Sequence, residues 1–237
     1  MADDPEQKCE CEKKLRRYAD LLASYDAARL TGSRDAGELY DLHIRDSLHS
    51  VALLPKAGKV IDVGSGGGLP GIVWAICRPD LSVTLLDSVR KKCSAMSGFA
   101  AALSLCNVYV VWARCEEHAL QEREGYDFAS ARALAHAGVT AEYLSPLVKP
   151  GGRVMAFKGP KGLKELEEVG ERLPPPGWGK IGLSSPAVLP YGGNRPGGDG
   201  PGEGDRNYFF IIWEKISSTP KAYPRKPGAA SVKGWWL

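Results

Sequence analysis

The chain has 237 residues, of which 43% are hydrophobic and 25% charged, and these values are ordinary for a soluble globular protein. Its length favours one sizeable α/β domain with a modest extension, and no apolar run is long enough to span a membrane. The six cysteines lack paired C-x-x-C spacing, so we expect no metal site and reduced cytosolic thiols. The net charge of +3 permits a nucleic-acid partner without requiring one.

The first predicted element is an amphipathic helix over about residues 6–30. Its apolar face carries side chains at alternating three- and four-residue steps: Leu15, Tyr18, Leu22 and Tyr25. We interpret it as a helix that packs on the flank of the domain rather than as a partner-binding helix.

A second predicted helix runs from about Asp35 to Leu54 and carries His43, Asp46 and Ser47 on one face. A nucleophilic triad is conceivable, but all three residues lie on one helical turn without an oxyanion device nearby. We favour a hydrogen-bonded cluster that supports the glycine-rich loop following this helix.

Residues 59–71 (KVIDVGSGGGLPG) predict a buried strand, a glycine-rich turn and the start of a helix. A P-loop is excluded because no Gly-Lys-Ser/Thr follows, and Leu69 replaces the third glycine of the dinucleotide fingerprint. The pattern of Asp62 with Gly64, Gly66 and Gly68 resembles the first motif of class I S-adenosylmethionine (AdoMet) methyltransferases. The alternative is an ordinary glycine turn between strand and helix.

The next predicted strand, Ser82–Asp87, closes on an acid roughly 20 residues after the first loop glycine. At that spacing a carboxylate accepts hydrogen bonds from both ribose hydroxyls. The alternative, in which Asp87 caps the helix that begins at Ser88, is compatible with this role.

A basic trio, Arg90 with Lys91 and Lys92, opens the following helix and is either a solvated face or an RNA-phosphate contact. The third strand, Asn107–Trp112, is followed by a loop that borders the adenine in an AdoMet-binding architecture of this kind, which places Cys115 and Glu116 in that loop.

The fourth strand, Tyr126–Ala133, leads to the chemical end of the predicted site. Its Arg132 either binds a phosphate or carboxylate bidentately or pairs with a surface acid. The remaining elements alternate, with helices over 136–148 and 162–173 and strands over 153–157, 180–189 and 207–213. Residues 191–206, rich in Gly, Pro and Asp, predict a mobile loop.

The C-terminal stretch Lys221–Lys233 is basic and contains one aromatic residue, a composition that suits single-stranded RNA. The alternative is a tail folded over the domain. Trp235 and Trp236 fit a hydrophobic anchor for that tail better than a stacking platform.

The motifs now in hand occur together in one order: His43-Ile44-Arg45-Asp46-Ser47-Leu48, the loop Asp62–Gly71, Asp87-Ser88 with Lys91-Lys92, Ser130-Ala131-Arg132-Ala133, Lys158-Gly159, and Tyr223-Pro224-Arg225-Lys226-Pro227-Gly228. In this order the chain resembles the RsmG (GidB) family of bacterial small-subunit ribosomal RNA guanine-N7 methyltransferases, from about Leu30 to Lys233. The resemblance implies a seven-stranded, mostly parallel class I methyltransferase sheet. It implies three regions: a helical extension over 1–55, the AdoMet-binding domain over 56–216 and a basic tail over 217–237.

The resemblance also implies the site. Cofactor contacts fall on Asp62, Gly64, Gly66, Gly68, Leu69, Asp87, Ser88, Cys115, Glu116 and Arg132. Arg132 and Lys158 would line the reacting end, and His43, Asp46 and Ser47 would support the cofactor loop. Lys91, Lys92, Arg225 and Lys226 would hold RNA phosphates. The implied substrate is a guanine in the decoding-region loop of 16S rRNA, within the small ribosomal subunit or its precursor, and the implied enzyme is a cytoplasmic monomer.

Guanine N7 carries an in-plane lone pair, so methylation there needs positioning and electrostatics rather than a general base. Two alternatives stay open. The first is an AdoMet methyltransferase of another RNA, a protein or a small molecule; with a protein or a small molecule as substrate, the basic tail is left unexplained. A non-enzymatic ribosome-binding module of the same fold predicts weak or no AdoMet binding.

Overall fold

The computed structural model describes residues 5–172, 177–191 and 208–236. The chain divides into two compact units, Met1–Trp112 and Ala113–Leu237, which are described one at a time. The three-region division that the sequence suggested, over 1–55, 56–216 and 217–237, stays a prediction.

The first unit places a helical segment ahead of three parallel strands. Its helices are α1 (Pro5–Ser24), α2 (Ala36–Leu39), α3 (Arg45–His49), α4 (Gly71–Cys77) and α5 (Arg90–Ala102). Its strands are β1 (Gly58–Val63), β2 (Leu81–Asp87) and β3 (Val108–Trp112), in the order β3-β2-β1. Both pairings are parallel, with Val60 opposite Val83 and Thr84 opposite Tyr109. All three predicted strands are therefore present, each within one residue of its predicted start.

The helical segment differs from the prediction in two ways. The first helix ends at Ser24 rather than near residue 30, where the Ser24 hydroxyl donates to the carbonyl of Asp20 and so satisfies the last turn. The predicted single helix over 35–54 is α2, a π-helical turn (Tyr40–Ile44), α3 and a 3₁₀ turn (Val51–Leu53). Because a π turn holds more residues than an α turn, the spacing argument for one shared side-chain face does not carry across it unchanged.

The second unit contains the remaining strands. Its helices are α6 (Cys115–Gln121), α7 (Ala137–Leu144), α8 (Lys161–Arg172) and α9 (Ala229–Val232). Its strands are β4 (Tyr126–Arg132), β5 (Val148–Lys158), β6 (Ala187–Tyr191) and β7 (Tyr208–Glu214), in the order β4-β5-β7-β6. β4 and β5 are parallel, and β7 is antiparallel to both of its neighbours.

One predicted strand is wrong over its first seven residues. The stretch predicted as a strand over 180–189 begins in a 3₁₀ helix (Gly177–Ile181), and strand pairing with β7 starts only at Ala187. Gly182 has φ 78°, a left-handed conformation that breaks an extended run. The predicted loop over 191–206 begins one residue late, because Tyr191 closes β6; residues 192–206 lie outside the described part of the chain.

A buried lysine joins the end of β7 to the segment that follows it. The Lys215 ammonium is fully enclosed and donates to Glu124 Oε1 at 3.2 Å, to the Ser145 carbonyl at 3.0 Å and to the Thr219 hydroxyl at 2.5 Å. Burial lowers the pKa of Lys215. Burial works against ionisation of Glu124 too, but hydrogen bonds from the Thr219 amide and from Lys215 keep the pKa of that carboxyl below its usual value.

Candidate active site

The glycine-rich loop lies at the carboxyl end of β1, in the first unit. The amides of Gly64 and Ser65 both donate to the carbonyl of Leu86 on β2, at 2.8 and 3.1 Å. Gly66 and Gly68 have φ angles of 59° and 98°, in the left-handed region where side chains are disfavoured. Backbone hydrogen bonds to β2 therefore hold the loop at the carboxyl end of β1.

Asp62 fixes the helix that follows the loop. It is fully buried, its Oδ2 accepts from the amide of Gly71 at 3.0 Å, and the Ser65 hydroxyl donates to its carbonyl at 2.8 Å. A Cβ on Gly71 would overlap the Leu85 side chain and lie 3.1 Å from Asp62 Cβ, so only glycine lets α4 approach the strands this closely. These bonds give Asp62 a positioning role, and its predicted cofactor contact stays a prediction.

Asp87 closes the loop from the neighbouring strand. It is 6% exposed, its Oδ2 accepts from the Gly66 amide at 3.0 Å, and its Oδ1 accepts from the Val89 amide at 2.9 Å. A carboxylate offers about four acceptor sites, so each oxygen retains capacity for a ribose hydroxyl. The group thus fits a nucleoside diol while holding the turn that starts α5, and Ser88 beside it is exposed.

The first helix lies directly on this loop, which the sequence did not predict. The fully buried Tyr18 hydroxyl donates to the carbonyl of Gly67 at 2.8 Å. A Cβ on Gly67 would lie 2.9 Å from the Leu22 side chain. The apolar stripe of α1 correctly predicted a buried face, since Leu15, Tyr18 and Leu22 are all buried. The pattern did not indicate that this face packs against the glycine-rich loop.

The cluster on the second helical segment is linked to α4 through its neighbour. Asp46 and Ser47 are buried, and the Ser47 hydroxyl donates to the backbone carbonyl of His43 at 2.8 Å. One turn later, Ser50 accepts from the indole of Trp74 on α4 at 2.8 Å. A buried Ser47 hydroxyl that already donates to a carbonyl is a poor nucleophile. The supporting role of this cluster stays a prediction.

In the second unit, Cys115 and Glu116 begin α6 instead of lying in a loop. The Cys115 thiol donates to the Tyr143 carbonyl at 3.2 Å, and burial raises its pKa, so it stays protonated at neutral pH. Glu116 is 5% exposed, and its Oε1 accepts from the Gly228 amide at 3.0 Å. The tail is thus tied to a residue that we predicted to contact the cofactor.

Arg132 and Lys158 end the neighbouring strands β4 and β5. The Arg132 guanidinium lies 5.8 Å from the centroid of the Phe157 ring. The Lys158 ammonium pairs with Glu165 Oε2 at 2.7 Å, and the same oxygen accepts from the Ala137 amide at the start of α7. Lys158 therefore helps to fix α7, a role that sequence reasoning missed because Glu165 lies one helix further along the chain.

The C-terminal tail is folded over the second unit. Arg225 donates twice to the buried Glu142, from Nε at 2.8 Å and from Nη2 at 2.6 Å, and this pairing raises the pKa of Arg225. The Trp235 indole donates to the Gly138 carbonyl at 2.8 Å, which fits the predicted anchor. Arg225 thus has a structural partner, whereas Lys226 is exposed; the predicted phosphate contacts of both stay predictions.

In residues 5–172, 177–191 and 208–236, no group of three or more His, Cys, Asp and Glu side chains is placed to hold a metal ion. Nor does any helix there combine the length and the apolar character that a membrane crossing needs.

Comparison with known sequences identifies the family of the chain. The family model described as "GidB: rRNA small subunit methyltransferase G" matches residues 11–174. A protein of Moorella thermoacetica named ribosomal RNA small subunit methyltransferase G is 35% identical over 90% of this chain and 86% of its own length. One of the same name from Petrotoga mobilis is 32% identical over 91% of this chain and 92% of its own.

Solved structures are similar in fold at low identity. The O-methyltransferase TomG from Streptomyces achromogenes, solved with SAM, has a TM-score of 0.54 at 16% identity, over 86% of this chain and 90% of its own. A geranyl diphosphate methyltransferase solved with SAM has a TM-score of 0.53 at 12% identity, over 84% and 95%. The predicted class I AdoMet methyltransferase fold is confirmed. Since the family model covers most of the chain and the relatives align along nearly all of it, the chain belongs to the GidB family, the rRNA small subunit methyltransferase G family.

Proposed function

We propose that the protein transfers a methyl group from AdoMet to N7 of a guanine in the decoding-region loop of 16S rRNA. Membership of the GidB family supports an AdoMet-dependent methyltransferase that acts on ribosomal RNA. The observation that carries the cofactor half of the proposal is the loop of the first unit, closed by the hydrogen bond from the Gly66 amide to Asp87.

The cofactor role follows from the chemistry of that loop. AdoMet carries a sulfonium cation, so the buried carboxylates of Asp62 and Asp87 near the loop do not repel it as they would repel a pyrophosphate. Asp87 retains acceptor capacity for the two ribose hydroxyls. In the second unit, the cofactor contacts of Cys115, Glu116 and Arg132 are carried forward as part of the proposal.

The proposed reaction needs no general base from the protein. Bound AdoMet supplies an electrophilic methyl carbon, and guanine N7 offers a lone pair without losing a proton. We propose that Arg132 and Lys158 orient the guanine, because cationic side chains commonly recognise N7 and O6. The protonated Cys115 thiol agrees with a route that has no covalent enzyme intermediate.

The partner is proposed to be the small ribosomal subunit or its precursor, with Lys91, Lys92, Arg225 and Lys226 as phosphate contacts. Among them Arg225 would first have to share its guanidinium with Glu142. We propose that the enzyme acts as a monomer in the cytoplasm.

The test is transfer of labelled methyl groups from AdoMet to small subunits taken from cells that lack the enzyme. The product is mapped by strand scission specific for N7-methylguanine. We expect label at one guanine of the decoding-region loop, lost in Asp87→Ala and kept in Asp26→Ala, which removes an exposed carboxylate of the same unit. Tight AdoMet binding without any rRNA label would overturn the proposed substrate.

A further inference from the structure

The edge strand of the first unit exposes an aromatic side chain that the core does not use. β3 pairs with β2 alone at one end of the strand order. Trp112, its last residue, is 59% exposed, although tryptophan side chains are usually well buried. In register, Trp112 lies opposite Asp87, so the indole lies at the same edge of the sheet as the proposed ribose-binding carboxylate.

The indole is held in a fixed orientation. Its Nε1 donates to the carbonyl of Ser88 at 3.1 Å, and the Arg90 guanidinium lies 5.2 Å from the ring centroid. That distance is within the range of a cation–π contact, which places a positive charge over the ring. An exposed ring that is held by a hydrogen bond and backed by a cation loses little entropy when a flat ligand stacks on it.

The surroundings of this ring are positively charged. From Ser88 to Trp112 the only charged residues are Arg90, Lys91 and Lys92, and no acid interrupts them. Within the described ranges, none of the three forms an ion pair with a carboxylate. A run of three cationic side chains favours a polyanion, and a ring that accepts stacking beside it favours nucleobases over an acidic protein.

We propose that Trp112, backed by Arg90, is a stacking platform for an unpaired nucleotide of the RNA substrate, and that the exposed Lys91, which follows Arg90 on α5, contacts its phosphates. The base would stack on the indole, and the adjoining phosphates would contact the lysine. This inference rests on the proposed function, because it assumes an RNA substrate; it adds how a single-stranded segment is held next to Asp87. The sequence had assigned only phosphate contacts to this stretch.

Tyr109 on the same strand provides a matched control. It is 56% exposed, comparable to the indole, but successive side chains of a strand alternate in direction, so residues three apart point to opposite faces. It also has no cation stacked on it among the described residues. A general effect of removing an exposed aromatic from β3 would appear in both variants, whereas loss of the platform appears only in Trp112→Ala.

The experiment measures binding of the full chain to a fluorescein-labelled single-stranded oligoribonucleotide with the decoding-region loop sequence, and to a duplex of equal length. We expect Trp112→Ala to weaken single-strand binding about 5- to 100-fold, the range that one stacked base contributes. Trp112→Phe should recover most of the affinity, and Tyr109→Ala should stay within about twofold of wild type. Duplex binding should change little, since paired bases cannot stack on the ring.

AdoMet affinity, measured by calorimetry on the same variants, separates this platform from a cofactor contact. Equal AdoMet affinity in wild type and Trp112→Ala supports the platform. Weaker AdoMet binding with unchanged RNA binding would assign the ring to the cofactor pocket and overturn the proposal, as would single-strand affinity that Trp112→Ala does not change.

Failure of the proposed function gives a different result. If wild type binds the single strand through Trp112 but transfers no methyl group to rRNA, the platform stands and the substrate assignment falls. If Trp112→Ala methylates the guanine with an unchanged KM for subunits, the function stands and the platform falls.

Discussion

The hydrogen bond from Tyr18 on the first helix to Gly67 in the glycine-rich loop allows a test of how the helix and the loop are coupled. Tyr18→Phe removes one hydroxyl and leaves the ring, which packs edge-on against Phe99 at 6.0 Å between centroids. The carbonyl of Gly67 loses its donor at a position that is buried.

The expected cost follows from that burial. A buried acceptor left without a donor costs about 1–3 kcal/mol, whereas the same bond at the surface would be nearly free to lose. We therefore expect Tyr18→Phe to lower the free energy of unfolding by about 1–3 kcal/mol. The loop is also the proposed cofactor site, so part of the binding free energy of AdoMet would then go into ordering the loop. Each 1.4 kcal/mol used in this way weakens the affinity for AdoMet about tenfold.

The assay is urea unfolding followed by circular dichroism, with AdoMet titrations on the same preparations. Tyr25→Phe is the matched control: its ring also meets Phe99 edge-on, at 5.5 Å, but its hydroxyl has no hydrogen-bond partner among the described residues. A Tyr18→Phe protein as stable as the control and with unchanged AdoMet affinity would refute the coupling.

Three further predictions concern the same two units. Asp87→Asn should weaken AdoMet binding at least tenfold in calorimetry, because an amide cannot accept on both sides as the carboxylate does. Gly71→Ala should destabilise the fold by about 1–3 kcal/mol through overlap with Leu85 on β2 and crowding of Asp62 on β1, whereas Gly98→Ala on α5, with open space around it, should stabilise by about 0.5–1 kcal/mol. The lowered pKa of Glu124 contributes stability above its unfolded value of 4.5, and that contribution is lost as pH falls through the folded value; Glu124→Gln should flatten this acid-side slope in thermal unfolding and leave Lys215 without its counter-charge.

Each of these has an outcome that contradicts it. Unchanged AdoMet affinity in Asp87→Asn would contradict the proposed contact between Asp87 and the ribose hydroxyls. Equal stability changes for the two alanine variants would mean that crowding at Gly71 does not matter. An acid-side slope that survives Glu124→Gln would place the titrating group elsewhere.

The parts of the fold that sequence predicted well depend on neighbouring residues. The strands β1 to β3 are continuous β-branched and apolar runs bounded by turns, and such runs can be predicted as strands from local sequence alone. The turn between β1 and α4 was predicted for the same reason, since Asp62 and the alternating glycines lie within one short stretch. The place of Asp87 at the end of β2 was also predicted from local sequence, and its ribose contact stays a prediction.

The parts that sequence missed depend on residues far apart in the chain. The pairing of Arg225 with Glu142 and the bond from Gly228 to Glu116 join residues that nothing local connects. From sequence alone the basic residues of the tail had no identifiable partner, whereas the structure pairs Arg225 with the buried Glu142. The π turn and the 3₁₀ helix over 177–181 were missed because apolar patterns alone do not resolve such short irregular turns.

The strand order of the second unit has a consequence for synthesis of the chain. β7 lies between β5 and β6 although it leaves the ribosome after both of them. Until residue 214 is made, the nascent chain presents β5 with an open edge and β6 without a neighbour, although both have already been translated. A premature stop codon just ahead of residue 208 would therefore release a product with an unpaired strand edge that is prone to aggregate. Folding of this part of the sheet is thus completed only after β7 has been synthesised.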